Sequence, residues 1–413
     1  MGTITRQKLS ILLVLFVGYV GFSIIFPVLP SMFLDPKLGY LPPHLTLSTR
    51  NILLGVMIAM YPLGQFFGCP ILGRLSDTYG RKPILLITLF CTALMYIITA
   101  IGVELKMMIW IFIGRFLTGI FEGNITIATA VMADVSTEKL DKTKNFGWLL
   151  TFSSTGWIIG PLLGGWLADP TVVSWFSYST PFWTSFFFLL LCFLILLLFF
   201  DESLDERHRK KHLHFSEIFT TFTHLFKSPL LRRIYASNFY FYVSCFIFFI
   251  FFGTLIYRWF NSTPRMIGNL EAYVSIFICF APLTYSFLAR RYEHYKTMAI
   301  AALGLAGSLI FVVVFPNWVA IWFTFILPSY FIALGMSFSS LLISDSCSKK
   351  QQGEALGLNN AIMVLAETVV GILRGFLIAI WLYLPYVFAV LCCFISVLFV
   401  YLYKNKFRKI NHQ

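Results

Sequence analysis

The chain has 413 residues, of which 58% are hydrophobic and 12% charged, with a formal net charge of +13. Soluble domains carry about 25% charged residues, so this composition excludes a water-soluble globule and makes the bilayer the solvent. The eight cysteines fit neither a disulfide framework nor a zinc pattern; seven fall in apolar runs, Cys347 falls in a polar connection, and they read as small apolar side chains.

Runs of membrane-crossing length, about 20 residues, are expected near 9–33, 50–72, 84–102, 107–133, 146–168, 181–200, 232–257, 268–288, 297–315, 318–343, 355–380 and 383–403. They are numbered here as spans 1 to 12. Span 1 exceeds a signal-peptide core and lacks a small-residue cleavage site, so it reads as a retained helix. With the N-terminus in the cytoplasm, 24 of the 31 lysines and arginines fall inside and five outside. Arg115 and Arg374 lie within spans. That asymmetry is the positive-inside pattern, and it places both termini inside. The positive charge follows topology and the anionic inner leaflet, so nucleic acid is not an expected partner.

Span 1 ends in Ile24-Ile-Phe-Pro27-Val-Leu-Pro30, and span 2 carries Gln65 through Asp77. Between spans 2 and 3 lies Gly73-Arg-Leu-Ser-Asp77-Thr-Tyr-Gly80-Arg81-Lys82-Pro83-Ile-Leu85. So short a polar stretch between two spans predicts a tight turn at the membrane face. Gly73 and Gly80 are candidates for positive φ and close packing. Pro83 suits the first turn of the next helix. Asp77 and the Arg81-Lys82 pair are near enough in sequence to bond within the hairpin or to a neighbouring helix end. The stretch resembles the signature loop of the major facilitator superfamily, with Thr78 at one commonly basic position. A loop that is merely positive-inside explains the basic residues, but not Asp77 with the second glycine.

Span 4 contains Gly114-Arg115-Phe-Leu-Thr-Gly119-Ile-Phe-Glu122-Gly123-Asn124. Arg115, Gly119 and Gly123 recur every four residues, placing an arginine above a smooth glycine face that a neighbour can approach. Glu122 is seven residues on and nearly shares that face. Ionisable groups at this depth are functional candidates; the bland reading is an Arg115–Glu122 structural pair. The pattern resembles the superfamily's span 4 motif, and the resemblance implies a part for the arginine in proton transfer.

Span 5 reads Gly147-x8-Gly156-x3-Gly160-Pro161-x2-Gly164-Gly165. Its glycines form a small face, and Pro161 bends the helix. Every fixed position resembles the helix 5 motif of the superfamily's antiporters, which implies a seal between the two halves and close approach of a second-half helix at Gly160 and Gly164. Most of the first half is similar to twelve-helix drug:proton antiporters, tetracycline exporters especially. Those exporters carry an acid in span 1, nine positions before the first proline. Here that position is Gly18, so tetracycline as substrate is unsupported and a proton must be carried elsewhere or not at all.

The longest polar stretch, 201–231, links two six-span halves. His208, His212 and His214 sit there in a basic context that fits a solvated loop better than a metal site. Residues 215–226 have apolar positions at helical spacing and predict an interfacial helix. The segment Leu288 to Lys296 keeps charges but not glycines and reads as a decayed copy of 73–85, as in a duplicated fold. In the second half, Asn238 lies in span 7. Glu367 and Arg374 share a face of span 11, where a proton site and a structural bridge are equal readings. Trp157, Tyr240, Tyr242, Phe338 and Trp381 are aromatic candidates for a cavity lining.

No nucleotide loop, nucleophile triad or metal cluster stands out, so neither enzyme activity nor a cofactor is expected. The expected fold is an all-α membrane protein with twelve transmembrane helices in two pseudo-symmetric six-helix bundles. Its parts are 1–200, a cytoplasmic linker at 201–231, 232–404, and a tail at 405–413. The expected function is proton-driven export of a small amphiphilic molecule by a monomer in a bacterial inner membrane. A proton-coupled importer of a metabolite or metal-chelate, an uncoupled facilitator, and a non-transporting receptor or scaffold stand as alternatives.

Overall fold

The computed structural model describes residues 3–135, 139–204, 228–278, 281–347 and 351–411. The three loop histidines, the expected interfacial helix at 215–226, Cys279, Lys349 and Lys350 lie outside them. The described residues form an all-helical membrane fold without strands. The helices are α1 Thr3–Ser23, α2 Leu29–Leu34, α3 Leu47–Tyr79, α4 Arg81–Glu104, α5 Met108–Phe121, α6 Asn124–Asp134, α7 Lys139–Leu167, α8 Thr180–Phe199, α9 Pro229–Phe260, α10 Pro264–Ile278, α11 Ala281–Arg291, α12 His294–Val314, α13 Trp318–Thr324, α14 Ile326–Asp345, α15 Gln352–Ile380 and α16 Leu384–Asn411.

Ten helical stretches among the described residues are long and apolar enough to cross a bilayer. Span 5 (α7) and span 8 (α10 and α11) are not among the ten. The charge-free part of the first, 147–167, is rich in glycine, serine and threonine. The two helices of the second have 15 and 11 residues, each below the membrane-crossing length.

Several expected spans are interrupted. Span 1 stops at Ser23 and resumes at Leu29, because Pro27 has no N–H and its ring opposes the carbonyl four residues back, that of Ser23. Span 4 breaks at Glu122 and Gly123. The Glu122 amide is shared between the carbonyls of Thr118 and Gly119, and the Ile125 amide returns to Glu122, so the ladder shortens by one residue there. The expected turn at 73–85 is much tighter than its polarity suggests. The helix runs through Asp77 to Tyr79, and Gly80 alone, at φ 105°, separates α3 from α4. Gly73 is helical, which corrects the expectation of a positive φ; only Gly80 of the two needs glycine's freedom. Pro83 does lie in the first turn of α4.

The chain divides into two compact units. Unit 1 comprises 1–46, 60–215 and 262–272. In it α1 packs on α7 and α8, and α4 packs on α5 and α8. Glycines from two helices interlock where α3 crosses α5: a Cβ at Gly64 or Gly68 would strike the carbonyls of Phe116 or Ile120, and one at Gly119 would strike that of Tyr61. This is the smooth-face packing expected of span 4.

Unit 2 comprises 47–59, 216–261 and 273–413. Its central element is α9, which packs on α16, α15 and α14 and is 83% buried over its most apolar window. Ser228 caps α9 by accepting from the Leu231 amide, and Pro229 follows at the first helical position, both favoured at a helix start. The N-terminal part of α3 meets α15 at Gly371 and Gly375, where any Cβ would press on Ala59 or the Ile52 backbone.

Candidate functional site

Three groups of polar residues stand out, two in unit 1 and one in unit 2. The first surrounds Arg81. Its Nη1 donates to Asp77 Oδ1 at 2.6 Å and to Ser76 Oγ at 2.7 Å, and its Nε donates to Asp134 Oδ2 at 3.1 Å. The guanidinium fork thus ties the end of α3 to the end of α6. Glu202 closes the same knot from beyond α8. Its Oε1 accepts from the Arg81 amide at 2.9 Å and its Oε2 from the Lys82 amide at 3.1 Å. Those amides are unpaired donors at the positive end of the α4 dipole, where a carboxylate is favoured. Asp77 with Arg81 was visible as an i, i+4 pair in the sequence. Asp134 and Glu202 were not, because 53 and 121 residues separate them from Arg81.

The second group lies where α1, α3, α4 and α5 converge. Arg115 is buried, with its guanidinium carbon 4.8 Å from the centre of the Tyr61 ring, a cation–π distance. Its Nε and Nη1 make no hydrogen bond among the described residues, and neither does Glu122 Oε2. Arg115 and Glu122 do not form the salt bridge of the bland reading. They are within electrostatic reach of each other, of Tyr61 and of Tyr96. The break between α5 and α6 places Glu122 at a helix end. There its Oε1 faces α1 at Gly18, 2.9 Å from where a Cβ would stand. The buried acid of span 4 thus lies beside span 1 at Gly18.

The span 5 glycines sit differently from expectation. A Cβ at Gly156 would meet Tyr19 at 2.8 Å, and at Gly160 or Gly164 it would collide with Ser23 or the Ile24 carbonyl. All three therefore admit α1, not a second-half helix, which corrects the reading of Gly160 and Gly164. That packing reaches Ile24 because the helix has just ended at Ser23. The approach from the second half is made by Gly165, against Pro264 and Arg265, and by Gly268 against Pro161. Gly147 has open space around it.

In unit 2, Glu367 and Arg374 are both buried, but Arg374 Nε, Nη1 and Nη2 bond to none of the described residues. The expected Glu367–Arg374 bridge is therefore not made. Arg374 instead lies 5.4 Å from the centre of the Phe251 ring. Asn238 belongs to a directed network. Its Nδ2 donates to Asn359 Oδ1 at 2.8 Å, Asn359 Nδ2 donates to the Tyr242 hydroxyl at 2.7 Å, and that hydroxyl meets Ser339 Oγ at 2.7 Å.

Of the aromatic candidates, Trp157 packs with Phe22 and Phe26, Tyr240 stacks on Phe399, Phe338 lies in the core beside Tyr285, and Trp381 is exposed. An open apolar groove of about 300 Å³ lies between α12 and α16, lined by residues that include Leu309, Val313, Tyr386 and Val390.

Comparison with known proteins adds a family and a fold. A profile described as Major Facilitator Superfamily matches residues 11–260 and 256–412. The class H tetracycline resistance protein of Pasteurella multocida is 37% identical over 144 residues, 35% of this chain and 33% of that protein. The class B protein of Escherichia coli is 34% identical over 131 residues, 31% of this chain and 29% of that one. The chain thus matches about a third of the length of these relatives. The crystal structure of the human organic anion transporter MFSD10 superposes with a TM-score of 0.71 at 18% identity, covering 98% of this chain and all of that one.

Proposed function

The chain belongs to the Major Facilitator Superfamily, and from that membership we propose a secondary transporter that exports a small amphiphilic molecule in exchange for protons, with Glu122 as the proton carrier. One observation carries the coupling. The tetracycline exporters that the first half resembles hold their acid in span 1, and here a glycine stands at that position with the Glu122 carboxylate pressed against it. This chain's acid thus stands on span 4, beside the sequence position at which those exporters carry theirs in span 1. A carboxyl there, shielded from water beside Arg115 and two tyrosines, has a proton affinity set by where the guanidinium moves. A carboxyl that takes a proton on one side and yields it on the other meets the requirement of exchange. The span 4 and span 5 glycine faces let the helices around Glu122 slide closely. The signature knot around Arg81 would hold the cytoplasmic ends of α3, α4 and α6 together in one state and release them in the other.

Reconstitution tests this reading. Purified protein in proteoliposomes should accumulate an amphiphilic dye against its gradient only when a pH gradient is imposed. The Glu122→Gln variant should lose that uphill transport and keep downhill exchange. Uphill transport at the parental rate by Glu122→Gln would remove Glu122 from the coupling, and exchange insensitive to any pH gradient would leave an uncoupled facilitator.

A further inference from the structure

Arg374 has no counterpart in the motifs discussed above. It sits in α15 of unit 2, 1% exposed, and its Nε, Nη1 and Nη2 find no hydrogen-bond acceptor among the described residues. The nearby aromatic groups make no hydrogen bond to it. The Phe251 ring offers its face. The Tyr386 hydroxyl, within electrostatic reach of the guanidinium, is itself buried without a hydrogen-bond partner. The Phe251 and Tyr386 ring centres are 6.4 Å apart, so the two aromatics stand together beside the cation. Glu367 is seven residues earlier, about 10 Å along the helix axis, and makes no bridge to it. What results is a cluster of donors: a guanidinium and a phenol, walled by aromatic rings, deep in an apolar unit.

Keeping a guanidinium there without an acceptor is costly, and a site that retains one has a use for it. The chemistry that completes this site is an oxyanion accepting from the guanidinium fork, with the phenol as a further donor. Its apolar part would lie along the aromatic walls. A lipid phosphate has the same chemistry, but the lipid side of α15 is elsewhere. Its exposed large apolar residues are Leu365, Ile372, Phe376 and Ile380, and at 100° per residue they all fall about 120° or more around the helix from Arg374. We infer that Arg374, with Phe251 and Tyr386, binds the carboxylate or sulfonate of an aromatic organic anion, which makes the cargo of the proposed transporter anionic. This deepens the export reading and rests on it for the word cargo. The binding site itself does not depend on transport.

The test uses the full chain in maltoside micelles, which contain no phosphate. It is titrated with 1-naphthoate and with 1-naphthamide, the uncharged isostere, and binding is read from the melting temperature. Naphthoate should bind about tenfold or more tightly than naphthamide. Arg374→Gln should abolish the difference and Arg374→Lys should keep part of it. Because the guanidinium has no partner to lose, Arg374→Gln and Arg374→Met should melt at or above the parent temperature. Equal binding of the two probes, or undiminished naphthoate binding by Arg374→Gln, overturns the site. A large fall in melting temperature for Arg374→Met would show a structural bond and overturn it as well. In a further arm phosphatidylglycerol is added. An Arg374-dependent shift from the lipid that naphthoate cannot displace would make the site a headgroup site and overturn the cargo assignment. None of these arms needs a gradient, so failure of proton-driven export in proteoliposomes leaves them standing, and their failure leaves the export reading untouched.

Discussion

Glu122 Oε1 lies 2.9 Å from the point where any side chain at Gly18 would begin. A side chain at Gly18 of α1 would thus enter the space that the Glu122 carboxylate occupies at the end of α5. The prediction is a transplant. Gly18→Asp combined with Glu122→Ala should restore pH-driven uphill transport that Glu122→Ala alone abolishes. Gly18→Ala alone should be tolerated at modest cost, because the atom it meets is the end of a flexible side chain. No recovery in the double variant, measured as dye accumulation in proteoliposomes, would show that the two positions are not interchangeable.

Glu367 gives the control for that experiment. It is buried in α15 of unit 2, whereas the Gly18–Glu122 contact belongs to unit 1. Glu367→Gln should therefore retain uphill transport when Glu122→Gln has lost it. If the two variants behave in the opposite way, the coupling acid lies in the second half.

The knot around Arg81 predicts that charge alone will not replace that residue. A lysine has no planar fork and cannot serve Asp77, Ser76 and Asp134 together. Arg81→Lys should cost about 1–2 kcal/mol in denaturant unfolding and should sharply reduce transport. Asp77→Asn should greatly reduce transport with near-normal membrane expression, and Glu202→Gln should weaken the same end of α4. Full activity of Asp77→Asn would sink the gating role of this segment.

The span 5 motif predicts a contrast between its first glycine and its later ones. Gly164 faces the Ile24 carbonyl, so Gly164→Ala should destabilise by about 1–3 kcal/mol through overpacking, and Gly160→Leu should do worse. Gly147 faces open space, and Gly147→Ala should be neutral or stabilise by up to about 1 kcal/mol through helix propensity. Thermal unfolding of the three variants checks this, and similar losses for all would mean the glycines do not act through contact with α1.

The asparagine network makes the last prediction. Asn359→Leu leaves the Asn238 amide and the Tyr242 hydroxyl without a shared partner inside unit 2. The expected loss is about 1–3 kcal/mol of stability. Asn359→Asp, which keeps an acceptor toward Asn238, should fall between the leucine variant and the parent.

The sequence made the helical membrane fold legible because bilayer thickness imposes a length on every apolar run. The Asp77–Arg81 contact was legible for a similar reason, since helical geometry brings residues four apart together. The breaks were harder. Pro27 announces the end of α1, but nothing local announces the interruption at Glu122, where Gly123 packs against Leu72. The partners of Gly160 and Gly164 were misread for a related reason. A small-residue face states that some helix comes close, but its identity depends on tertiary packing. Asp134 and Glu202 carry ordinary surface-like surroundings in the sequence, and their role emerges only when three helix ends meet.

The carboxylate of Glu202 at the head of α4 also bears on how the chain is made. A nascent chain that has grown to residue 200 already contains all of α1 to α8, but α4 still ends in unpaired amides at Arg81 and Lys82. Two residues later the ribosome delivers the group that completes them. This clasp therefore closes only after α8 has been synthesised. Fragments ending at residue 200 and at residue 204 should differ in protease resistance at Arg74 and Arg81, although the two contain the same helices.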